Sequence, residues 1–243
     1  MRKGNDLIRT EGLEKTYVSE DVETKALRGV DLEIREGEFV SIVGPSGSGK
    51  STLMLILGCL DRPTGGKYFF EEKEIHTDTD EELAKIRNEK IGFVFQAFNL
   101  LPRLSVAENV ALPLMYRGVP MKERNERAME MIEMVGLADR ASFHTSRLSG
   151  GQKQRAAIAR ALISKPKIIF ADEPTGNLDS KSGGVILEFL QELNEKGNTI
   201  VIVTHESYVA QAGKRILHII DGKIDKDEIV ENRKVVAREG FSK

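Results

Sequence analysis

Two hydrophobic patterns alternate along this chain, and they predict two kinds of element. Short apolar runs lie at 38–43, 91–96, 167–172 and 199–204, and helical patterns lie at 50–60, 80–90 and 181–196. Strands that alternate with helices are typical of βαβ units. The chain is therefore predicted to have an α/β fold with a mixed, mainly parallel sheet.

Residues 7–35 depart from this alternation, because they have strand patterns but few helical signals. Short strands are predicted at 7–9, 13–18 and 26–34, and a further strand is predicted at 67–70. We expect the strands within 7–35 to form an antiparallel layer at the edge of the core.

Helical signals interrupt the α/β pattern after residue 96. Ser105 and Glu108 have the spacing of a capping box and predict the start of one helix. Pro120 can start the next helix, and Gly136 follows its predicted end. Ser149 can cap a third helix.

The chain is predicted to form one domain, because the helical stretch is inserted into the α/β pattern. Residues 1–96 and 164–243 would form the α/β core, and residues at about 97–163 would form a helical subdomain. A strand at about 215–220 and the Asp221-Gly222 turn predict a hairpin. The tail from Asp225 alternates in charge and is predicted to be a solvated end.

A glycine-rich loop follows the strand predicted at 38–43 and precedes a helix. Its amides can converge on phosphate oxygens. Lys50 adds a positive charge near the outer phosphates, and the Ser51 hydroxyl can ligate Mg²⁺. The loop therefore predicts nucleotide binding. Its residues are Gly44, Pro45, Ser46, Gly47, Ser48, Gly49, Lys50, Ser51 and Thr52.

A second phosphate-binding sequence, Leu148-Ser149-Gly150-Gly151-Gln152, lies at the predicted start of the third inserted helix. The N-terminus of a helix presents free amides and a partial positive charge to a phosphate. One nucleotide pocket needs only one such cradle. The second cradle therefore predicts that another copy of the chain completes the site.

Two adjacent carboxylates, Asp172 and Glu173, end the apolar run at 167–172. They could simply be solvated at the turn that follows a strand. Two neighbouring carboxylates repel each other unless a cation lies close, and Mg²⁺ with a nucleotide supplies one. We therefore predict that Asp172 binds Mg²⁺ and that Glu173 activates water, which indicates hydrolysis rather than transfer to an acceptor.

Taken in order, these motifs resemble those of the ATP-binding cassette (ABC) ATPase family over nearly the whole chain. The resemblance implies an ABC-type P-loop NTPase that uses ATP and Mg²⁺. It also implies a head-to-tail homodimer that holds two ATP molecules, each between the glycine-rich loop of one chain and Ser149–Gln152 of the other. The matching positions are 44–52, Gln96, 148–152, Asp172-Glu173, Asn177-Leu178-Asp179 and Thr204-His205.

The resemblance also implies roles for residues that are ambiguous alone. Gln96, otherwise a polar strand end, would contact Mg²⁺ or water, and His205, otherwise a structural histidine, would bind the γ-phosphate and orient Glu173. Asp179 would lie beside ATP in the loop that crosses the dimer interface. Tyr17, otherwise a core residue, would stack on adenine. The implied catalytic set is Lys50, Gln96, Glu173 and His205, and the implied magnesium ligands are Ser51, Gln96 and Asp172.

Three segments resemble more narrowly the ATPase subunits of lipoprotein-release, macrolide-export and cell-division-type ABC systems. They are 58–61, 95–102 and 174–179. This resemblance implies an integral membrane permease as partner, which would dock near Gln96 and residues 97–118. Ala97 departs from the polar residue frequent there, so the identity of the partner stays open. Phe98, Leu100, Leu101 and Leu104 would either contact the permease or pack beneath the helical subdomain.

Composition and charge narrow the classes of function. The 36 basic and 38 acidic residues give a net charge of −2, which argues against a nucleic-acid-binding protein. The single Cys59 is expected to be an ordinary buried thiol in a reducing compartment. No apolar run approaches the roughly 20 residues of a membrane span. We therefore expect a cytoplasmic protein without direct membrane insertion, held at the inner face of the cell membrane through the permease.

Two other classes of function are alternatives. A soluble ABC ATPase that acts on nucleic acid or ribosomes would share the motifs, but such proteins usually carry coiled-coil insertions or two cassettes. A small-molecule P-loop kinase would share the glycine-rich loop, but it would leave residues 148–152 unexplained.

Overall fold

A computed structural model describes residues 6–19 and 22–236 and confirms the α/β fold class. The strands are β1 (Asp6–Ser19), β2 (Val22–Arg35), β3 (Phe39–Val43), β4 (Gly65–Phe70), β5 (Lys73–Glu74), β6 (Ile91–Phe95), β7 (Ile168–Asp172), β8 (Thr199–Val203), β9 (Arg215–Ile220) and β10 (Lys223–Ile229). The α-helices are α1 (Lys50–Leu57), α2 (Asp80–Lys90), α3 (Val106–Tyr116), α4 (Met121–Met134), α5 (Gly150–Leu162), α6 (Ser180–Glu195) and α7 (Ser207–Ala210). Within the described ranges, no helix has both the length and the hydrophobicity needed to cross a bilayer.

The larger sheet has the strand order β10-β9-β3-β8-β7-β6, and its strands are parallel except for β10. Phe95 lies opposite Asp172, and Asp172 lies opposite Val203. Ile42 of β3 also lies opposite Val203. Four strands therefore end at about the same level, and the residues that follow them meet at one edge of the sheet.

Alternate residues of each strand point to opposite faces of this sheet, and other elements cover both faces. Val40 and Phe170 belong to a core between the two sheets and α1. Phe39 and Ile169 belong to a second core, which is covered by α5 and α6. Cys59 lies in the first core, where burial raises the pKa of its thiol to about 12, so the thiol is protonated and unreactive.

The smaller sheet is antiparallel, with the strand order β2-β1-β4-β5. The three short strands predicted within residues 7–34 are instead parts of two strands, β1 and β2, of 14 residues each. Register shifts between β1 and β2, including one between Thr10 and Leu13, interrupt the alternation of buried and exposed residues. A β-bulge makes one long strand look like two in the sequence.

Three helices, α3, α4 and α5, lie between β6 and β7. Capping boxes at Ser105 and Ser149 confirm the predicted starts of α3 and α5. Pro120 immediately precedes α4, and Gly136 follows its end with φ 65°. The apolar faces of the three helices form a core of their own, which includes Val110, Ile132 and Ala156.

The C-terminal segment is more ordered than the sequence suggested. The hairpin at Asp221-Gly222 is confirmed, but the tail from Asp225 continues as β10 and then returns to the core. Val236 is buried, and its N–H donates to Gln191 Oε1 at 3.0 Å. The tail is therefore solvated along most of β10, as predicted, but it is an ordered edge strand there and its burial at Val236 was not predicted. Residues 237–243 of the predicted tail lie outside the described residues.

Candidate active site

Four segments of the predicted site meet at the carboxyl edge of the larger sheet. The glycine-rich loop follows β3, Gln96 follows β6, Glu173 follows β7, and Thr204-His205 follows β8. The register of these strands brings the four segments side by side, although they are far apart in sequence. In open α/β sheets this edge is where ligands bind.

Close packing behind the glycine-rich loop explains two of its glycines. A Cβ on Gly44 would lie 2.1 Å from the carbonyl oxygen of Ile219, and a Cβ on Gly49 would lie 2.5 Å from that of Ala26. The N–H of Gly222 donates to the carbonyl oxygen of Ser48 at 2.9 Å. The loop therefore rests directly on the backbone of β9, the C-terminal hairpin and β2, while residues 45–47 are exposed.

Lys50, the first residue of α1, folds back over this loop. Its Nζ donates to the carbonyl oxygens of Gly44 at 2.8 Å and Pro45 at 2.7 Å. The ammonium group therefore lies at the loop whose amides can bind phosphate, where its charge would meet an outer phosphate.

The Asp172 side chain is half-buried beside Glu173. Burial, and then the charge of Glu173, raise the pKa of Asp172, while Lys50 opposes this shift. A cation near Asp172 would offset both the burial and the repulsion. Oxygen atoms of Ser51, Gln96 and Asp172 are ligands of the kind that Mg²⁺ prefers, so these residues suit that ion.

The end of β8 holds the carboxylate of Glu173. Thr204 Oγ1 donates to Glu173 Oε2 at 2.9 Å, and the N–H of His205 donates to Oε1 at 3.0 Å. His205 Nδ1 lies 2.6 Å from the same Oε1. Glu173 has φ 42°, a left-handed conformation that costs a side-chain-bearing residue about 1–2 kcal/mol. The N–H of Glu173 also donates to the carbonyl oxygen of Val203 at 2.8 Å, so the end of β8 and the two residues after it hold both the backbone and the side chain of Glu173.

Gln96 lies in a turn held by two residues to which the sequence gave no role. Asn177 Nδ2 donates to the Gln96 carbonyl oxygen at 2.9 Å. Arg160 of α5 donates to the carbonyl oxygens of Phe98 and Asn99, which have φ 61° and 50°. Asn177 belongs to the motif Asn177-Leu178-Asp179, so the sequence offered a reason to expect it near the site. For Arg160, the only such indication was its position on the helix predicted to start at Ser149.

The second cradle lies at the exposed N-terminus of α5. The N–H of Gln152 donates to Ser149 Oγ at 3.3 Å, and the N–H of Ser149 donates to Gln152 Oε1 at 3.0 Å. Asp179 caps the neighbouring helix α6 by accepting from the N–H of Ser182 at 3.0 Å. Among the described residues, no hydrogen bond joins 149–152 to 44–52.

Tyr17 lies at the surface, with 40% of the residue exposed. The alternative that it is a core residue is therefore wrong. Its hydroxyl donates to Asp61 Oδ2 at 2.8 Å. Burial, and then the hydrogen bond to Asp61, raise the pKa of the Tyr17 hydroxyl, while the Thr52 side chain lowers it.

A groove of about 1030 Å³ runs between β6 with α2 and the inserted helices. Of the apolar residues expected near Gln96, Phe98 and Leu100 pack against buried cores, whereas Leu101 is 48% exposed. Tyr116, which the sequence did not single out, is 76% exposed at the groove. Other lining residues are Leu60, Phe93, Phe95, Leu112 and Arg160.

Comparison with known proteins gives extensive matches. Residues 27–176 match the ABC transporter family. An ABC transporter ATP-binding protein of Thermotoga maritima is 56% identical over 222 residues, which are 91% of this chain and 94% of that protein. The macrolide export ATP-binding/permease protein MacB of Syntrophobacter fumaroxidans is 50% identical over 225 residues, which cover 91% of this chain but 32% of MacB.

Solved structures match the fold along nearly the whole chain. The dimeric structure of the ABC transporter cassette MJ0796 has a TM-score of 0.86 and 48% identity, and covers 93% of this chain and 99% of that chain. A post-hydrolysis dimer of MJ0796 bound to ADP and Pi has a TM-score of 0.85 and 47% identity with the same coverage. MJ0796 comes from Methanocaldococcus jannaschii.

Proposed function

Since this chain belongs to the ABC transporter family of ATP-binding proteins, we propose that two copies hydrolyse ATP together and thereby move an integral membrane permease. One observation carries this proposal. The proposed catalytic residues Glu173 and His205 follow β7 and β8, and β8 lies between β7 and β3, which leads into the first anion cradle, whereas the second cradle begins α5. A head-to-tail dimer would bring the second cradle of each chain to the first cradle of the other.

Binding of ATP would use both chains. The phosphates would lie on the amides of 44–49, where Lys50 would exchange its carbonyl partners for phosphate oxygens. Ser149 of the partner subunit would bring a helix N-terminus, with its partial positive charge, to the γ-phosphate. Adenine would stack on Tyr17.

Hydrolysis would use the carboxylate that Thr204 and His205 hold in place. Water attacks the γ-phosphorus, its proton passes to Glu173, and the bond between the γ-phosphorus and the bridging oxygen breaks to give ADP and phosphate. His205 would hydrogen-bond the γ-phosphate. Ser51, Gln96 and Asp172 would hold Mg²⁺, which supplies positive charge to the phosphate oxygens. Loss of the phosphate removes the ligand that both chains share, so the dimer reopens.

The permease would dock in the groove beside Gln96. The exposed rings and alkyl groups of Tyr116 and Leu101 suit an apolar contact with another protein. Arg160 reaches both the groove and the turn that holds Gln96, so docking and the nucleotide site share one residue. The chain would then lie in the cytoplasm, at the inner face of the membrane.

Substitution of Glu173 tests the proposal directly. Glu173→Gln should lower turnover by about 10²- to 10⁴-fold, because a general base is lost. It should still bind ATP and therefore elute as a dimer from a sizing column when ATP is present. Adding Ser149→Arg should abolish this dimer, because a bulky cation would fill the second cradle.

Three results would contradict the proposal. They are normal turnover by Glu173→Gln, a dimer that persists after Ser149→Arg, and stimulation of the ATPase by nucleic acid instead of by a membrane protein. The last result would favour the alternative of a soluble ABC ATPase.

A further inference from the structure

The Tyr17 side chain is held by a small charged network. Its hydroxyl donates to Asp61 Oδ2 at 2.8 Å, and Lys15 Nζ donates to Asp61 Oδ1 at 2.6 Å. Lys15 Nζ also donates to the carbonyl oxygen of Arg62 at 2.7 Å and lies 4.8 Å from the centre of the Tyr17 ring. The Lys15 residue is only 8% exposed, so its charge is well shielded from water.

This network links β1 to the turn that follows α1. Lys15 and Tyr17 are two residues apart on β1, and both side chains reach Asp61, so they lie on one side of the strand. Asp61 belongs to the turn after α1, and it also accepts from the N–H of Arg62 at 2.7 Å. Although burial acts in the opposite direction, the hydrogen bonds from Lys15 and Tyr17 hold the pKa of Asp61 below its ordinary value.

We propose that Asp61 and Lys15 are positioning residues for the Tyr17 ring, and that they set how tightly the site binds the adenine base relative to the triphosphate. This inference rests on the proposed stacking of adenine on Tyr17. Lys15 occupies the inner face of the ring, which leaves the exposed face for the base. A ring that is fixed before the nucleotide arrives loses less conformational entropy when the base stacks on it.

Asp61 belongs to segment 58–61, to which the sequence assigned no chemical role. Asp61 stands at the end of that segment, and its carboxylate receives hydrogen bonds from both a strand residue and the Tyr17 hydroxyl. A carboxylate that served only the turn would need the N–H of Arg62 alone. If Asp61 positions Tyr17, its substitution should weaken the binding of adenine. If Asp61 only stabilised the turn, its substitution would not affect adenine selectively.

Two variants separate positioning from stability. Tyr17→Phe keeps the ring but removes its link to Asp61, and Asp61→Asn keeps the size of the side chain but removes its charge. Calorimetry would measure the affinity of each variant for a non-hydrolysable ATP analogue and for inorganic tripolyphosphate. Both variants should bind the analogue about three- to tenfold more weakly, as expected for the loss of one hydrogen bond, and bind tripolyphosphate unchanged.

The double variant and a matched control complete the test. Tyr17→Phe with Asp61→Asn should lose less affinity for the analogue than the sum of the two single losses, because Tyr17→Phe removes a contact that Asp61→Asn already weakens. Asp227→Asn breaks a comparable ion pair, between Arg215 and Asp227 at 2.6 Å on the other sheet, and should change neither affinity.

Equal losses for both ligands, unchanged binding of the analogue, or additive losses in the double variant would overturn the positioning role. If the wild-type chain binds tripolyphosphate as tightly as the ATP analogue, adenine contributes no affinity and the proposed stacking on Tyr17 is wrong. A wild-type chain that binds neither ligand would overturn the proposed ATPase as well.

Discussion

At the scale of single residues, two groups at the carboxyl edge of the larger sheet raise the free energy of the folded chain when no nucleotide is bound. Asp172 is half-buried next to a second carboxylate, and Glu173 has a left-handed backbone. Such strain is typical of functional sites, where neighbouring structure holds a residue in a conformation it would not adopt alone. Stability and activity should therefore respond in opposite directions to some substitutions.

Asp172→Asn is the clearest such substitution. Burial and the charge of Glu173 raise the pKa of Asp172, so the folded state is penalised at pH 7, where the carboxylate is charged. A neutral amide avoids this penalty, and the variant should unfold at a higher urea concentration than the wild-type chain when nucleotide is absent. Its Mg²⁺-dependent ATPase activity should nevertheless fall, since a ligand is lost.

The pH dependence supplies the check on this expectation. A raised carboxyl pKa means that the penalty is absent below the ordinary value of about 3.9 and complete above the raised value. The advantage of Asp172→Asn in urea unfolding should therefore vanish as the pH falls toward 3.9. An equal advantage at every pH, or none at pH 7, would show that the side chain acts through packing instead.

Residues within short motifs could be predicted from the sequence, because the motif itself specifies their chemistry. Contacts between motifs could not. Thr204 and Glu173 are hydrogen-bonded across 31 positions, and Arg160 reaches Phe98 across 62 positions. Only the register of the strands and the packing of α5 bring these groups together. The site assignments themselves stay predictions until the substitutions are made.

At the scale of elements, the helix starts were predictable and the strand lengths were not. A capping box is a local signal, and those at Ser105 and Ser149 are both formed. The lengths of β1 and β2 depend on bulges that hide their continuity. The order of β10 and of the segment up to Val236 depends on partners elsewhere in the chain, such as β9 and Gln191.

The capping boxes at Ser105 and Ser149 allow a matched comparison of stability and function. Ser105→Ala and Ser149→Ala each remove one side-chain cap, and each should cost about 1 kcal/mol of stability in urea unfolding. Only Ser149→Ala should also lower the ATPase rate, because that helix end is proposed to serve the ATP of the partner subunit. Equal loss of activity in both variants would mean that the second cradle has no special role.

At the scale of the whole molecule, one chain carries two predicted anion cradles on different elements. Each cradle has its own support, one from the carboxyl edge of the sheet and one from α5 and α6. The sequence could predict both cradles and the need for a second copy. It predicted a docking groove near Gln96 and residues 97–118, but it could not predict that α2 and α5 also form the walls of the groove.

Mixing two inactive variants tests whether the cradles combine between chains. Lys50→Ala lacks a working glycine-rich loop, and Ser149→Arg lacks a working second cradle. A mixed head-to-tail dimer contains one intact site, so an equal mixture should recover roughly a quarter of the wild-type rate if sites act independently. Each variant alone should stay inactive. A mixture that forms mixed dimers, shown by capture through a tag on one variant, yet recovers no activity would contradict composite sites.

The glycine-rich loop packs against the backbone of Ile219 and Gly222, and this contact has a consequence for the synthesis of the protein. The loop is synthesised well before Ile219 and Gly222, which support it, because most of the 243 residues of the sequence lie between the loop and these two residues. A nascent polypeptide therefore holds the loop long before it holds the surface that shapes it. We therefore expect nucleotide capture to wait until Ile219 and Gly222 have been translated, and we expect a product that terminates before them not to enter a dimer as a faulty half.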